Sequence, residues 1–454
     1  MTVARYLCLA VPLALLLCAL RFERDRAARG AALLAFVATA LGVAALHEVA
    51  RLAGWWSFTP VAGAYRGLPV DLWLGWAVLW GPVPVLLRRV LPVPLVPGLL
   101  LFVDAVAMPA LAPLVRLGPH WLLGELVGLL VVALPAHLLG RWSADRRRLG
   151  PRVALQMAVF AALVLWFVPS LAFEVGDGDW RRITELPRSA LAALAQVGLV
   201  VAVPALAAVR EFAVRGGGTP FPWDPPRRLV TTGPYAYLAN PMQVGATGLL
   251  LLIAAAGRSL TLALGAVVAV AFTAGVARPH ETPDLAGRYG TAWRAYRARV
   301  RDWWPRRCPY QIGVPATLWL DLTCGPCGRV AEFLRRRRPV GLRLVTAADH
   351  PRTLWRAEYA GGDGHVERGV AAVARGLEHL GLGWAYVGWV LRLPGVAWFA
   401  QLVTDAMIAP PRPAGTRGAA CPTPSSASST ARSRPSGSTG SPAYRPAPSP
   451  PPQA

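Results

Sequence analysis

The sequence predicts an α-helical polytopic membrane bundle of about nine spanning helices, followed by a small α/β domain and a disordered tail. Three observations carry this. The chain of 454 residues is 54% hydrophobic and only 16% charged, with a mean hydropathy of +0.41. A soluble globular chain is about 45–50% apolar and about 25% charged. The apolar residues are gathered into blocks, and a block of ~20 residues with few charges crosses a bilayer core. The composition then changes twice, after residue 310 and again after residue 410.

The blocks fall at 4–20, 31–50, 68–87, 91–113, 120–139, 153–173, 188–208, 242–256 and 259–277. The first reads as a helix rather than a cleaved signal: it lacks a small-residue cleavage site, and arginine-rich sequence follows it directly. Pro94, Pro97, Pro109 and Pro135 lie inside blocks. Spanning helices tolerate this because neighbours re-satisfy the freed carbonyls. Asp104, Glu125 and His137 also lie at or within blocks. An ionisable group at that depth marks function or faces polar partners inside the bundle.

The net charge is +23, and every basic side chain besides histidine is arginine. These arginines sit beside apolar blocks, where positive charge sets topology. No nucleic-acid partner is expected. Residues 21–29 hold four arginines, and 141–152 hold five with one aspartate. Residues 174–188 are balanced, with four acidic and three basic side chains. Alternating the loops predicts an inner-membrane protein with its N-terminus outside and everything after residue 278 cytoplasmic.

Of the six cysteines, only Cys324 and Cys327 form a motif, so no disulfide framework is expected. Apolar runs shorten over 311–410 into Thr317–Leu320, a helical stretch and Leu342–Val345. The tail over 411–454 is rich in Pro, Ser, Thr, Ala and Arg and cannot bury a core.

Residues 227–245 read RRLVTTGPYAYLANPMQVG. Gly233-Pro234 is a turn before a helix, and Asn240-Pro241 is a second break. Two apolar blocks follow, joined by Gly257 and Arg258. His280-Glu281 comes next, and then a predicted helix over 284–300. Leu285, Tyr289, Trp293, Tyr296 and Val300 recur there at spacings of three and four, which makes one aromatic-apolar stripe. Such a stripe serves packing, a membrane interface or a ligand pocket.

This combination resembles the isoprenylcysteine carboxyl methyltransferase and phospholipid methyltransferase superfamily over 227–305. Gly233, Pro234, Tyr235, Pro241, Met242, Gly245, Glu281, Leu285, Gly290 and Tyr296 match its pattern. The resemblance implies S-adenosylmethionine held at the cytoplasmic face by Gly233, Pro234, Tyr235, Asn240, Pro241, Gly245, Glu281 and Tyr296. It also implies a membrane lipid or prenyl-like methyl acceptor. The chain departs from the family at Ala239-Asn240, which replaces Arg-His, at Gln243, which replaces Tyr, and at Thr282, which replaces the second Glu. Asparagine can hydrogen-bond a carboxylate but carries no charge.

In the second block, an apolar run from Thr317 leads into Asp321-Leu-Thr-Cys324-Gly-Pro-Cys327 and a helical pattern. A Cys-x-x-Cys at a helix start suits thiol–disulfide exchange: the positive end of the helix dipole favours a thiolate, and the second cysteine resolves the mixed disulfide. Structural zinc takes four ligands, and there is no second cysteine pair; His350, His365 and His379 lack ligand spacing. No metal is expected. Two unreactive cysteines in a bare turn remain the bland alternative.

This block resembles the DCC family of thiol–disulfide oxidoreductases over 315–410, through Asp321, Cys324, Cys327, Gly364 and Gly369. Leu322 stands where that family has glycine. The resemblance implies a thioredoxin-like α/β fold, catalytic Asp321, Cys324 and Cys327, and a partner that is a thiol or disulfide protein or a small thiol.

Four regions result: 1–210, a membrane region without an assigned role; 211–307, methyltransferase-like; 308–410, the dithiol domain; and 411–454, the tail. The function expected is a membrane methyltransferase fused to a dithiol module. The alternative is a membrane-anchored disulfide reductase whose methyltransferase-like region only binds lipid.

Overall fold

Each apolar block carries a helix over most of its length. The computed structural model describes residues 2–407 apart from Pro222, Trp223 and Pro225. The side chains of Thr2, Val276, Ala277, Pro279, His280 and Glu281 lie outside the described set, as does the tail expected over 411–454. In chain order the apolar helices are α1 (Thr2–Phe22), α2 (Arg26–Ala53), α3 (Val70–Leu86), α4 (Leu95–Ala110), α5 (Trp121–Ala144), α6 (Leu149–Val175), α7 (Arg188–Gly216), α8 (Pro241–Gly257) and α9 (Leu260–Gly275).

The expectation of about nine spanning helices narrows here. Among the described residues, five helices (α1, α2, α5, α6 and α7) are long and apolar enough to cross a membrane. The other four have 10–17 residues. At 1.5 Å per residue they reach at most ~26 Å, short of a hydrocarbon core of ~30 Å. Turn residues cut them short. Gly257 and Arg258 end α8, with Arg258 in the left-handed region at φ +53°. Ser259 then caps α9, its hydroxyl accepting from the Leu262 N–H. The protein is an integral membrane protein on the length and composition of these helices.

α2 is the central post of the N-terminal bundle. Asp25 caps its start by accepting from the Ala27 N–H, and Gly54 closes its end in the left-handed region. Its buried face is rich in alanine, which lets neighbouring helices approach closely. An aromatic core of Trp56, Tyr65, Trp73, Trp76 and Trp80 packs beside it. Asp104 is satisfied there by the Trp80 indole N–H at 2.9 Å. Two antiparallel ladders close one end: β1 (Trp56–Phe58) with β4 (Val115–Leu117), and β2 (Ala64–Tyr65) with β3 (Leu68–Pro69). They are not among the predicted elements, because runs of two or three residues are too short to display alternation.

A π-turn (Thr273–Ala277) carries α9 into α10 (Arg278–Arg297). The helix predicted over 284–300 needs correction. It begins at Arg278, ends at Arg297 and is broken at Gly290, whose φ 56°, ψ −128° is not helical.

The C-terminal region builds a four-stranded sheet. β5 (Ala316–Leu320) runs through α11 (Gly325–Arg336) into parallel β6 (Leu342–Thr346), and β7 (Glu358–Ala360) and β8 (Val366–Arg368) form an antiparallel hairpin. The strand order is β6-β5-β7-β8. Alternate β5 residues Ala316, Leu318 and Leu320 are buried with Leu334 of α11 and Ala372 of α12 (Val370–Leu377). α13 (Leu382–Leu391) and α14 (Pro394–Met407) complete the region, bent 83° from each other. α13 lies against α7: Ala385 and Trp389 pack with Val203 and Ala207, and the Tyr386 hydroxyl donates to the Val200 carbonyl at 2.8 Å.

Candidate functional site

The first motif block folds around one cavity of about 340 Å³. Residues 233–236 form a 3-10 turn, and Pro241 opens α8 as its first residue. The stripe on α10 closes the other side. Tyr235, Asn240, Pro241, Met242 and Gln243 line the cavity from the turn, and Leu285, Tyr289, Trp293 and Tyr296 line it from α10. The Gly290 break lets both halves of the stripe reach it. Phe212 and Phe221 add two more aromatic rings.

Internal hydrogen bonds hold the walls. The Tyr296 hydroxyl donates to the Tyr235 carbonyl at 2.9 Å, and the Tyr289 hydroxyl donates to the Pro226 carbonyl at 2.6 Å. The Tyr235 hydroxyl is buried with no hydrogen-bond partner among the described residues. Burial pushes the phenols of Tyr235 and Tyr296 above the usual tyrosine range, so both remain protonated donors.

The other motif residues have distinct places. Gly233 has φ +61°, and a Cβ there would stand 2.5 Å from the Glu211 Cγ. Pro234 is buried in the turn behind the cavity wall. The Asn240 amide donates to Asp302 at 3.0 Å, and Asp302 also pairs with Arg278 and Arg297. Gly245 faces α7 rather than the cavity, with a Cβ there 2.7 Å from Ala205. Glu281 lies within α10, and its side chain is outside the described set.

At the second motif, Cys324 is the N-cap residue of α11 and is buried, while Cys327 is half-buried one turn on. One oxygen of the Asp321 carboxylate accepts from the Thr323 N–H at 3.0 Å, the Thr323 hydroxyl at 2.6 Å and the Cys324 N–H at 3.2 Å. Asp321 therefore shapes the turn that presents the cysteines. Asp321 and Cys327 line a cleft of about 210 Å³ with Pro326, Val330, Trp355, Gln401 and Thr404. Among the described residues, no three His, Cys, Asp or Glu side chains are grouped to hold a metal ion.

Sequence reasoning missed a buried ion cluster that joins the two motif regions. Glu211, in the C-terminal part of α7, is fully buried beneath Gly233. It pairs with Arg375 of α12, with Arg392 at 2.7 Å and with the Thr232 hydroxyl at 2.8 Å. Arg375 and Arg392 also pair with Glu378, at 2.9 and 2.7 Å, and with Glu367, at 3.5 and 2.7 Å. Arg210 adds a two-pronged contact to Glu367 at 3.2 and 3.3 Å. Burial pulls the Arg375 guanidinium down, but Glu211, Glu378 and Glu367 together push it above the usual arginine range. Neither a spacing nor a periodicity reveals contacts between residues 164 and 181 positions apart.

With this geometry in place, one comparison bears on the first site. Residues 189–292 match the family model of phospholipid methyltransferase. The matched segment begins in α7, takes in the Gly233 turn and the α8–α9 hairpin, and stops just before Trp293. Tyr296 and the cysteine motif lie beyond it. No curated protein and no solved structure matches the chain.

Proposed function

We propose that the chain is an integral membrane, S-adenosylmethionine-dependent methyltransferase of the isoprenylcysteine carboxyl or phospholipid methyltransferase type. The observation that carries the reading is the shared cavity. Tyr235, Asn240 and Pro241 from one end of the motif block and Tyr296 from the other line it together, and the phospholipid methyltransferase match spans most of its walls.

The lining suits this cofactor. Tyr235, Tyr289, Trp293 and Tyr296 offer π faces to a sulfonium, which aromatic rings attract. The first-turn N–H groups of α8 and the Gln243 amide suit a carboxylate. The unpartnered Tyr235 hydroxyl offers a donor to a polar group in the cavity. When bound, S-adenosylmethionine supplies an electrophilic methyl group. The chain's own task is to hold donor and acceptor in line and keep water out. Exposed apolar surface on α8 and α9, such as Leu251, Leu264 and Val268, suits an acceptor with a lipid or prenyl-like chain arriving from the bilayer.

In the same reading, residues 211–307 form the methyltransferase region and 308–410 a thiol–disulfide oxidoreductase domain with a thioredoxin-like fold. The βαβ unit followed by an antiparallel hairpin supports it, as does a Cys-x-x-Cys that opens a helix. The Cys324 thiolate attacks a partner disulfide and expels one partner thiolate. The Cys327 thiolate then displaces the second, leaving an intramolecular disulfide and a reduced partner. The arginine-rich loops support a cytoplasmic position for both sites.

Purified full-length protein in detergent is expected to bind labelled S-adenosylmethionine saturably, and Glu281→Ala to abolish binding. Folded protein without saturable binding sinks the methyltransferase reading. The dithiol reading is scored separately: insulin disulfide reduction is expected to survive Glu281→Ala and to vanish in Cys324→Ser.

A further inference from the structure

α14 is amphipathic the wrong way round for a soluble domain. Its polar side chains face the protein: Gln401 accepts from the Val370 N–H at 2.8 Å, and Asp405 accepts from the Arg356 Nε at 3.0 Å. Its apolar side chains face outward. Trp398 is 69% exposed, Phe399 61% and Met407 71%, and Val396, Leu402 and Val403 are exposed beside them. No residue of α14 is buried. A surface helix of a soluble domain shows the opposite pattern.

The position of α14 says what covers this face. Gly245, in the second turn of α8, packs on α7 at Val201 and Ala205. The apolar length of α8 begins close to that level, after the polar Asn240 turn, which puts the polar-to-apolar boundary of the bundle near the first turns of α8. α13 follows α7 through the same level: Tyr386 bonds Val200, Ala385 and Trp389 pack on Val203 and Ala207, and Arg392 pairs with Glu211 beyond them. α14 then turns 83° away from α13. A helix turned this far from one that follows a membrane span lies close to the membrane plane. The neighbouring cleft carries three arginines, Arg352, Arg356 and Arg368, against two carboxylates, Glu358 and Asp405. That excess favours anionic headgroups. Residues after 410 are dominated by Pro, Ser, Thr, Ala and Arg and offer little to pair with an apolar face.

We propose that α14 is seated in the bilayer interface, with Val396, Trp398, Phe399, Leu402, Val403 and Met407 among the lipid chains. The region expected to be a soluble cytoplasmic module is thereby docked on the membrane. The cleft beside Cys327, walled by Gln401, Thr404 and Asp405 of the same helix, opens at the lipid surface. The seat is independent of methyl transfer and of thiol chemistry.

The test uses the full chain in nanodiscs of phosphatidylcholine and phosphatidylglycerol. With the six native cysteines changed to serine, nitroxide labels are placed through Phe399→Cys and Leu402→Cys. Leu251→Cys on α8 serves as the lipid reference and Arg336→Cys on α11 as the aqueous one. At 399 and 402, collision with a water-soluble nickel chelate is expected to fall severalfold below the Arg336 site, and collision with oxygen to rise to the Leu251 level. Nickel access equal to that at Arg336 overturns the proposal. Shielding from both reagents with spin–spin broadening between labels also overturns it, in favour of a second copy on this face. If the serine background fails to fold, the unaltered chain is irradiated with a diazirine phospholipid. Adducts in the 396–407 peptide are expected, and their absence while α6 and α7 peptides carry adducts rejects the seat.

Discussion

Gly233 is held by two constraints at once. Its φ of +61° is left-handed, and a Cβ would meet the Glu211 Cγ at 2.5 Å. The left-handed region costs a non-glycine residue ~1–2 kcal/mol before any clash. Gly233→Ala is therefore expected to destabilise the protein by at least that much and to weaken ligand binding at the cavity, measured by thermal unfolding and titration. Asp321 is a second residue-scale case. Asp321→Ala removes the acceptor shared by three donors and is expected to cost ~1–3 kcal/mol. It should also speed alkylation of the buried Cys324, whereas Asp321→Asn keeps one carbonyl oxygen and loses less. An unchanged alkylation rate in Asp321→Ala would show that the turn holds itself. The sequence singled out Asp321 only through its motif resemblance, and its role in the turn, with contacts to Thr323 and Cys324 within three residues, came from the structure. The Asn240–Asp302 bond was not legible in the sequence, because its partners are 62 positions apart.

The break in α10 is the informative event at the scale of elements. Gly290 takes φ 56°, ψ −128°, yet a Cβ there would touch nothing within 4 Å. Space would admit alanine, and backbone strain alone opposes it. Gly290→Ala is thus expected to cost ~1–3 kcal/mol or to straighten the helix. Straightening would set Tyr289, Trp293 and Tyr296 on one straight face and draw the two halves of the stripe off the walls they now form. Loss of the cavity would then appear as lost ligand binding with helical content unchanged or increased by circular dichroism. Hydrophobic blocks made the helices readable, since an apolar run of membrane length is a strong local signal. The break was not readable, because glycine inside a helical pattern is usually tolerated. The strand–Cys-x-x-Cys–helix order was legible for the same local reason, through Thr317–Leu320 and the pattern after Cys327. The β1–β4 and β2–β3 ladders were too short to register.

Across the whole molecule, the ion cluster ties the membrane helices to the C-terminal sheet, and it makes two predictions. The first concerns acid. Burial pushes the Glu367 carboxyl up, but the His365 hydrogen bond and the charges of Arg392, Arg375 and Arg210 outweigh it and hold the group well below the usual carboxylate range. A depressed carboxylate contributes stability that is fully present above its unfolded value of about 4.3. That contribution declines as the pH falls below this value towards the folded one. The opening free energy of β8 and α12, from hydrogen exchange corrected for the intrinsic amide rate at each pH, is expected to fall below pH ~4 and to be flat from ~5 to 7. The second prediction concerns the arginines. Glu211 is fully buried, so removing Arg375 leaves it only Arg392 as a close counter-charge where water cannot compensate. Breaking a buried pair from one side typically costs ~3–5 kcal/mol. Arg375→Met is expected to fall in that range, whereas Glu211→Gln with Arg375→Met should recover part of the loss because Glu378 and Glu367 are then balanced by Arg392 and Arg210. The Gly233 turn rests on Glu211, so the single variant should also weaken ligand binding at the cavity on the far side of that turn. Cys324→Ser, in the same C-terminal region but outside the cluster, should leave that binding intact. Equal losses in Arg375→Met and Cys324→Ser would mean that the C-terminal region supports the cavity in bulk. A loss confined to Arg375→Met traces the coupling to one carboxylate beneath one glycine.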